Sequence, residues 1–494
     1  MTFIDTIKRL LMKGSVENSK QILMELQDQA AKWKPGGYDR EMLRRRDYYE
    51  GKQAQWLMPA LRKRYPNTAG DMSIITLNYA KLIADVDAAV YDHRPERQLT
   101  FNSIPLDMDD SQAKEYQRIM QQASVNVVLA EAERRLMLMD TIFLHVRYDF
   151  HKQAPMLEVF YPQDIGIIPD PNNPTSFDDI LCLIARVVGP NGVNDDNSHF
   201  VVYYRDFQED HDGQSVKGPW KAERFSTDGT TAEIYPDHIV PFGVLPFVVW
   251  RNGIADGTIF RDADNDLLDA LDAISANLTN LTFVLDMQAH SMLAYMGDSR
   301  EDIVGGPGKV ISYAPGESLS VLDFNPKLKE MEQVNNNLIK TLASTRRQSP
   351  DAYSIDQQAP ESGVARQIAN MPYQKALKER QHYAEQMEMA LYPLICTINN
   401  AYGDGPTIDH ERYAMKWIAG NDPDFTDPAQ ETTRVMLALD QGLISKERAA
   451  FELGFYESEE DARLAMFKAT EDAASGIATV EESIAERLRL ATGS

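Results

Sequence analysis

The sequence predicts an α+β fold, mostly helical, and three observations carry that prediction. Helical spacing of apolar residues dominates the first third and the last half, while a middle block alternates or runs apolar like paired strands. Hydrophobic residues make up 43 % of the chain, enough for a sizeable buried core. The 494 residues, at roughly 100–200 per domain, imply about two to four structural units.

The first third carries a basic cluster between Arg40 and Arg64, made of Arg44, Arg45, Arg46, Lys52, Arg62, Lys63 and Arg64. A solvated helix face is the plainer reading of this patch. Gly51, after Tyr48, Tyr49 and Glu50, marks a helix stop. Leu82, Ile83, Val86 and Val90 predict a helix from Asn78 to Tyr91, closed by His93-Arg94-Pro95. Gln98 to Phe101 reads as extended, and a long helix follows from about Ser111 to Met139.

In the middle block, Ile142 to Phe150 and Met156 to Phe160 read as paired strands, and Asp170-Pro171-Asn172-Asn173-Pro174 as a turn. Ile180 to Val188 and Phe200 to Tyr204 continue the strands. Asp206 to Gly218 reads as a polar loop, and Ile239 to Trp250 closes the block.

Helical periodicity returns at Asp262. Leu267, Leu271, Ile274, Leu278, Leu281 and Leu285 recur at alternating steps of four and three, the ~3.5-residue period of a helix packed on near-parallel neighbours. Short apolar pieces and glycine turns (Gly305, Gly306, Gly308, Gly316) fill the stretch to Phe324. A second helix, Pro326 to Thr345, repeats the spacing with Leu328, Met331, Asn335, Leu338 and Leu342. Arg346 to Pro360 is polar and aperiodic, which inside a globular chain marks a functional or disordered loop. A helix of about forty residues then runs from Glu361 to Tyr402, and Pro372 inside it is expected to bend it. The segment from Gly403 to Ser494 holds 19 acidic and 9 basic residues and reads as several short helices.

Composition removes several function classes. Tight DNA binders displace phosphate counterions with Lys and Arg, whereas the net charge here is −25. That balance disfavours ordinary DNA binding, yet it suits a channel in which strong phosphate contacts would brake sliding DNA. Many soluble proteins are equally acidic, so charge alone decides nothing. The longest apolar run, Pro241 to Trp250 with Gly243 inside it, falls far short of the ~20 residues of a membrane span. Asp5, Lys8 and Arg9 interrupt the apolar start, unlike a secretory signal. Cys182 and Cys396 are too few for a disulfide framework or a thiolate metal site, which fits a reducing cytoplasm.

Catalytic and cofactor motifs are expected to be absent. Around Gly308-Lys309, Ile303 and Val310 spoil a phosphate loop, so no ATP hydrolysis is expected. Asp262, Asp264 and Asp266 imitate a calcium loop, but Leu267 and Ala273 replace the required glycine and glutamate; negative charge at a helix start explains them better. The nine histidines are scattered, without zinc-ligand spacing. Asp107, Asp109 and Asp110 can be drawn as a metal-dependent nuclease cluster, although a solvated acidic loop is the plainer account.

Several strings, taken in order, resemble the portal (head–tail connector) proteins of tailed double-stranded-DNA bacteriophages. Arg46-Asp47-Tyr48-Tyr49-Glu50-Gly51 resembles an early helix end of that family. The helix from Asn78 to Asp85, ahead of Arg94-Pro95, resembles its Asn-x-x-Lys helix. Tyr161-Pro162-Gln163-Asp164-Ile165 with Asp170-Pro171, and Gly243 with Pro246 to Val249, resemble its wing turn and last wing strand. Ser362-Gly363-Val364-Ala365 is similar to the opening of its long helix, and Gly442 to Glu447 with Leu453-Gly454-Phe455 to a crown helix pair. Asp140-Thr141 departs from the family, which commonly has glycine there.

The resemblance implies a portal fold. Its wing would be 1–260, the stem helices 261–285 and 326–345, and the clip 286–325. The tunnel loop would be 346–360, the long bent helix 361–402, and the crown 403–494. It implies a closed ring of usually twelve subunits at one capsid vertex, through which the genome is packaged, retained and ejected. Implied partners are the terminase large subunit, the head–tail adaptor, and the major capsid and scaffolding proteins. Double-stranded DNA would pass without sequence specificity; no membrane, cofactor, metal or catalytic residue is implied. Synthesis in the host cytoplasm and residence in the virion follow. Leu271, Ile274, Leu278, Leu281, Leu338 and Leu342 become stem packing. Arg346, Arg347, Gln348, Tyr353, Gln357 and Gln358 become channel residues, although two arginines at a helix end suit the helix dipole as well as a phosphate. A scaffolding or other phage structural protein is the rival reading, and a nuclease the more distant one.

Overall fold

Apolar residues at helical spacing build the first elements: α1 (Ser19–Ala31), α2 (Tyr38–Tyr49), α3 (Ala54–Arg64) and α4 (Tyr79–Asp87). The computed structural model describes residues 19–64, 66, 74–107, 109–189, 198–209, 215–229, 232–234, 243–261, 266–289, 292–296, 318–322, 328–349, 352–353, 363–420, 428–456, 459 and 461–466. The chain divides into two units, Met1–Gln357 with Ala376–Ile418, and Gln358–Lys375 with Ala419–Ser494.

Gly51 takes φ +77, so the helix stop expected there is real, and it separates α2 from α3. The helix predicted to reach Tyr91 ends instead at Asp87. Both carboxylate oxygens of the buried Glu133 accept the next backbone N–H groups, from Ala89, Val90 and Tyr91, at 2.9–3.2 Å. Those donors are therefore satisfied outside a helix.

After β1 (Glu96–Phe101) and β2 (Ile104–Pro105), the predicted long helix appears as two, α5 (Ser111–Gln122) and α6 (Val125–Met139). Ser124 at φ +50 breaks it. Strands β3 (Thr141–Asp149) and β4 (Ala154–Phe160) pair as expected, with Phe143 opposite Phe160. Strands β5 (Ile165–Ile168), β6 (Cys182–Val187), β7 (His199–Glu209), β8 (Ser215–Ser226) and β9 (Ala232–Ile234) form an antiparallel sheet in that order. Helix α1 seats Leu23, Leu26 and Ala30 on Ile168, Cys182, Ile184, Val202 and Phe225. The fit is close: a Cβ on Gly166 would lie 3.1 Å from that of Ala30.

The expected polar loop from Asp206 to Gly218 is corrected. Glu209 pairs with Ser215 and Phe207 with Lys217, so most of it belongs to the β7–β8 ribbon. Backbone pairing carries these polar residues, and hydropathy does not report it.

Strand β10 (Phe247–Arg251) joins β3 on the side away from β4. Then come α7 (Asp266–Ala289), the antiparallel pair β11 (Met292–Met296) and β12 (Ser318–Leu322), α8 (Leu328–Thr345) and α9 (Gly363–Tyr402). Helix α9 includes both Pro372 and Pro393. The glycine turns between β11 and β12, with Gly308-Lys309, lie outside the described residues.

A second correction concerns the boundary at Gly403. Strand β13 (Ala414–Ile418) pairs antiparallel with β1, Thr100 opposite Ala414 and Glu96 opposite Ile418. Residues 403–418 thus belong to the first unit, and the acidic helical part begins beyond Ile418. There α10 (Pro428–Asp440) and α11 (Lys446–Glu452) bury Val435, Ala449 and Ala450, with Gly442 at φ +67 between them. Ser445 caps α11, its hydroxyl accepting from the Arg448 N–H at 3.1 Å.

Candidate functional site

Helices α7 and α8 pack against each other, and their leucine stripes do not stay buried along their length. Leu271 and Ile274 are 5 % and 1 % exposed, and Leu342 is buried too. Leu278, Leu281 and Leu338 are half-buried, and Leu285 is 45 % exposed. Asn277 donates to the Asn335 side-chain oxygen at 3.1 Å, a polar rung between the two helices. Of the six predicted packing residues, three are therefore core within one chain and three lie on a face only partly covered.

Charge pins the inner end of α7. Arg44 reaches Asp272 at 2.7 Å and the Tyr48 hydroxyl donates to Asp272; further along, beyond Leu278, the buried Thr279 accepts the N–H of Ile75 at 3.1 Å. Burial, then the Asp272 carboxylate, pushes the Tyr48 phenol up. Arg45 is 2 % exposed and donates to the Leu138 carbonyl at 2.8 Å. The basic patch of α2 is thus partly an anchor, which corrects its reading as a solvated face.

The segment after α8 converges on Asp87, the last residue of α4 and 0 % exposed. Arg346 Nε reaches Asp87 Oδ2 at 2.5 Å, while Gln348 and the Tyr353 hydroxyl donate to Oδ1 at 2.9 and 2.7 Å. Arg346 also donates to the Met137 carbonyl at 3.1 Å. Burial pulls the Arg346 guanidinium down, but Asp87 more than reverses this and holds it above its ordinary value. From α9, Arg380 donates to the Asp87 carbonyl at 2.5 Å. Three of the six predicted channel residues therefore turn inward onto one carboxylate. Arg347, at φ +61, is exposed and pairs with Glu379 at 2.8 Å. Gln357 and Gln358 lie outside the described residues.

Two more buried carboxylates hold this unit together. Glu388 of α9 takes the Arg97 guanidinium on both oxygens, at 2.8 and 2.5 Å, with Tyr91 at 2.9 Å and the Trp417 indole at 3.2 Å. Helix α9 is thereby tied to both β1 and β13. Burial pushes the Glu133 carboxyl up to about 7, against the backbone hydrogen bonds that favour its charged form. At the departure from the family pattern, Asp140 takes φ +54, the left-handed conformation that glycine favours and aspartate tolerates.

Two of the clustered acids are used locally: Asp109 pairs with Lys114 at 2.8 Å and Asp110 caps α5. Asp262 and Asp264 lie outside the described residues. Among the described residues, no group of three or more His, Cys, Asp or Glu side chains is placed to hold a metal ion. No described helix is long and apolar enough to cross a membrane. The sequence reading missed Asp87, Glu133 and Glu388. Each lies on an apolar helical stripe: Asp87 follows Ala80, Ile83 and Ala84, Glu133 lies between Leu129 and Leu136, and Glu388 between Ala384 and Leu391. A carboxylate at such a position is the signal.

No family model and no curated protein matches the sequence. Among solved structures, the chain is similar to one from the virion of a native gene transfer agent particle, with TM-score 0.41. It is likewise similar to one from the neck of the native particle, at 0.41, and to one from the neck of the empty particle, at 0.43. Each is 12 % identical, and each match covers 76 % of this chain and 89 % of the other.

Proposed function

We propose that this chain is a phage portal subunit: one of a closed ring that forms the DNA channel at a capsid vertex. The observation that carries this reading is the run from α7 to α9. Two stem-like helices flank the β11–β12 hairpin, a polar segment follows, and a 40-residue helix then leads to the short helices of an acidic segment. That is the order implied by the sequence resemblance. The half-covered leucine stripe of α7 supports self-association, because a neighbour in a ring can cover it through a heterologous contact that closes by rotation. Net charge −25 favours DNA that slides rather than binds. In this reading the ring is a passive conduit and docking hub for a packaging motor and a tail adaptor.

In this reading the grip of Arg346, Gln348 and Tyr353 on Asp87 anchors the start of the segment, and the part that would meet DNA lies beyond Tyr353, outside the described residues. Deleting Ser354 to Gln358 is expected to spare ring assembly, seen as a ring with a central hole in negative stain, and to impair packaging or retention of DNA. Normal full heads carrying the deletion would sink the channel assignment. Purified full-length protein that never forms a ring would sink the portal reading itself.

A further inference from the structure

A cleft of about 780 Å³ lies in the first unit, between the turn at Gly243, Val244 and Leu245, strand β10, Trp220 of β8 and the second half of α9. Phe177, Trp220, Val248, Met387 and Leu394 give it apolar walls. Arg205 and Arg251 are the arginines of its lining, which also holds Asp178 and His410. The Arg205 guanidinium lies 5.1 Å over the Trp220 ring and donates to the Asp178 carbonyl at 2.6 Å, while its Nε is buried without a hydrogen-bond partner. Arg251 donates to the Thr175 carbonyl at 3.4 Å. Asp178 of the lining, with Asp179, attracts Arg205, but among the described residues neither arginine has a carboxylate oxygen at ion-pair distance.

These two arginines stand apart from most of the chain's structured arginines. Arg44, Arg97, Arg118, Arg346 and Arg448 each pair with a carboxylate and are held above the ordinary arginine value. Burial pushes Arg205 and Arg251 down instead, even though Asp179 and Asp178 attract Arg205. A partly buried guanidinium without an anion carries a desolvation penalty that a carboxylate relieves through a forked pair of hydrogen bonds. In a chain of net charge −25, two arginines in one cleft without a carboxylate at ion-pair distance among the described residues are conspicuous. Copies this acidic repel one another, so attraction between them concentrates where cations are unmatched.

We propose that this cleft receives an acidic segment of a second copy of this chain, its carboxylates taken by Arg205 and Arg251 and an apolar side chain laid against Trp220 and Met387. The inference rests on the ring reading for the presence of that copy, and adds a second contact distinct from the stem.

Hydrogen exchange on the full-length protein, assembled and dissociated by dilution, tests it alongside sedimentation of Arg205→Gln/Arg251→Gln. Assembly should protect residues 243–254 and 383–397. The double variant should need at least about tenfold more protein to half-assemble, and should lose part of the salt dependence of assembly. A wild-type ring with the cleft still open, and a variant that assembles equally well, would overturn the inference and leave the ring reading standing. Wild-type protein that never assembles would overturn both. Protection produced in the dissociated protein by sodium phosphate alone, with no increase on assembly, would replace the second copy by a free anion. If the double variant loses its circular dichroism, the wild-type exchange pattern decides by itself.

Discussion

The two ends of α7 carry one continuous leucine stripe and meet different fates. At the inner end Leu267, Leu268, Leu271 and Ile274 are each 5 % exposed or less, and Arg44 and Tyr48 fasten Asp272 there. At the outer end Leu278 and Leu281 are half-buried and Leu285 is 45 % exposed. Helix α8 keeps Asn335, Ile339, Leu342 and Ala343 buried along its inward side, while Val334 beside that side is 49 % exposed. Periodicity announces that a stripe will be covered; it does not say by what. Burial fades along this stripe near Leu278, and under the proposed ring reading that is where a neighbouring copy would take over.

If the inner end is held by this chain alone, breaking its polar anchors must damage the isolated subunit. Asp87→Ala leaves the Arg346 guanidinium, whose side chain is 19 % exposed, without its carboxylate. Removing one partner of such a pair costs about 3–5 kcal/mol, read by chemical denaturation of dissociated protein. The exposed Arg347–Glu379 pair is the control, and Arg347→Ala should cost less than about 1 kcal/mol. A loss below that limit for Asp87→Ala would mean that the network does not hold the inner end.

Glu133 gives that end a pH dependence. Its carboxyl is raised to about 7 in the fold from an ordinary value of 4.5, so the folded state binds the proton more tightly than the unfolded one. The resulting stabilisation is fully present below pH 4.5 and is lost as pH rises through about 7, on the order of 3 kcal/mol in all. Glu133→Gln should remove this slope, so the difference between wild type and variant must vary between pH 4.5 and 7. A constant difference across that window would show that Glu133 does not titrate there.

The element order was readable from the sequence because it rests on long periodic stretches: α7, α8 and α9 fall within a few residues of expectation. What escaped was set by tertiary partners. Strand β13 follows forty helical residues and acquires its meaning only from β1, more than three hundred residues earlier. The end of α4 is decided by a carboxylate on another helix. Asp87, Glu133 and Glu388 each interrupt an apolar stripe, which told of something unusual, but only the fold shows which guanidinium, phenol or backbone N–H answers them. Arg346 is the sharpest case: its place at a helix end suits a dipole or a phosphate, yet its partner is an aspartate more than two hundred and fifty residues away.

The smallest expected effect on the isolated subunit is the one that separates the two ends most cleanly. Ile274→Ala removes buried methyl and methylene groups from the inner end and should destabilise the dissociated subunit by about 2–5 kcal/mol, because the walls collapse only partly around the void. Leu278 lies one helical turn further along the same stripe, where its side chain is only half-buried. In one subunit Leu278→Asp can turn its carboxylate toward water, so the fold should lose about 1 kcal/mol or less. In a ring that route is closed by the neighbouring copy, and an unpaired charge in an apolar contact costs several kcal/mol at each interface. The variant should therefore melt almost like wild type when dissociated, yet fail to form rings on size exclusion. Equal damage to the dissociated subunit from both substitutions would show the outer stripe to be the chain's own core. An intact ring with Leu278→Asp in place would show that no neighbour covers it.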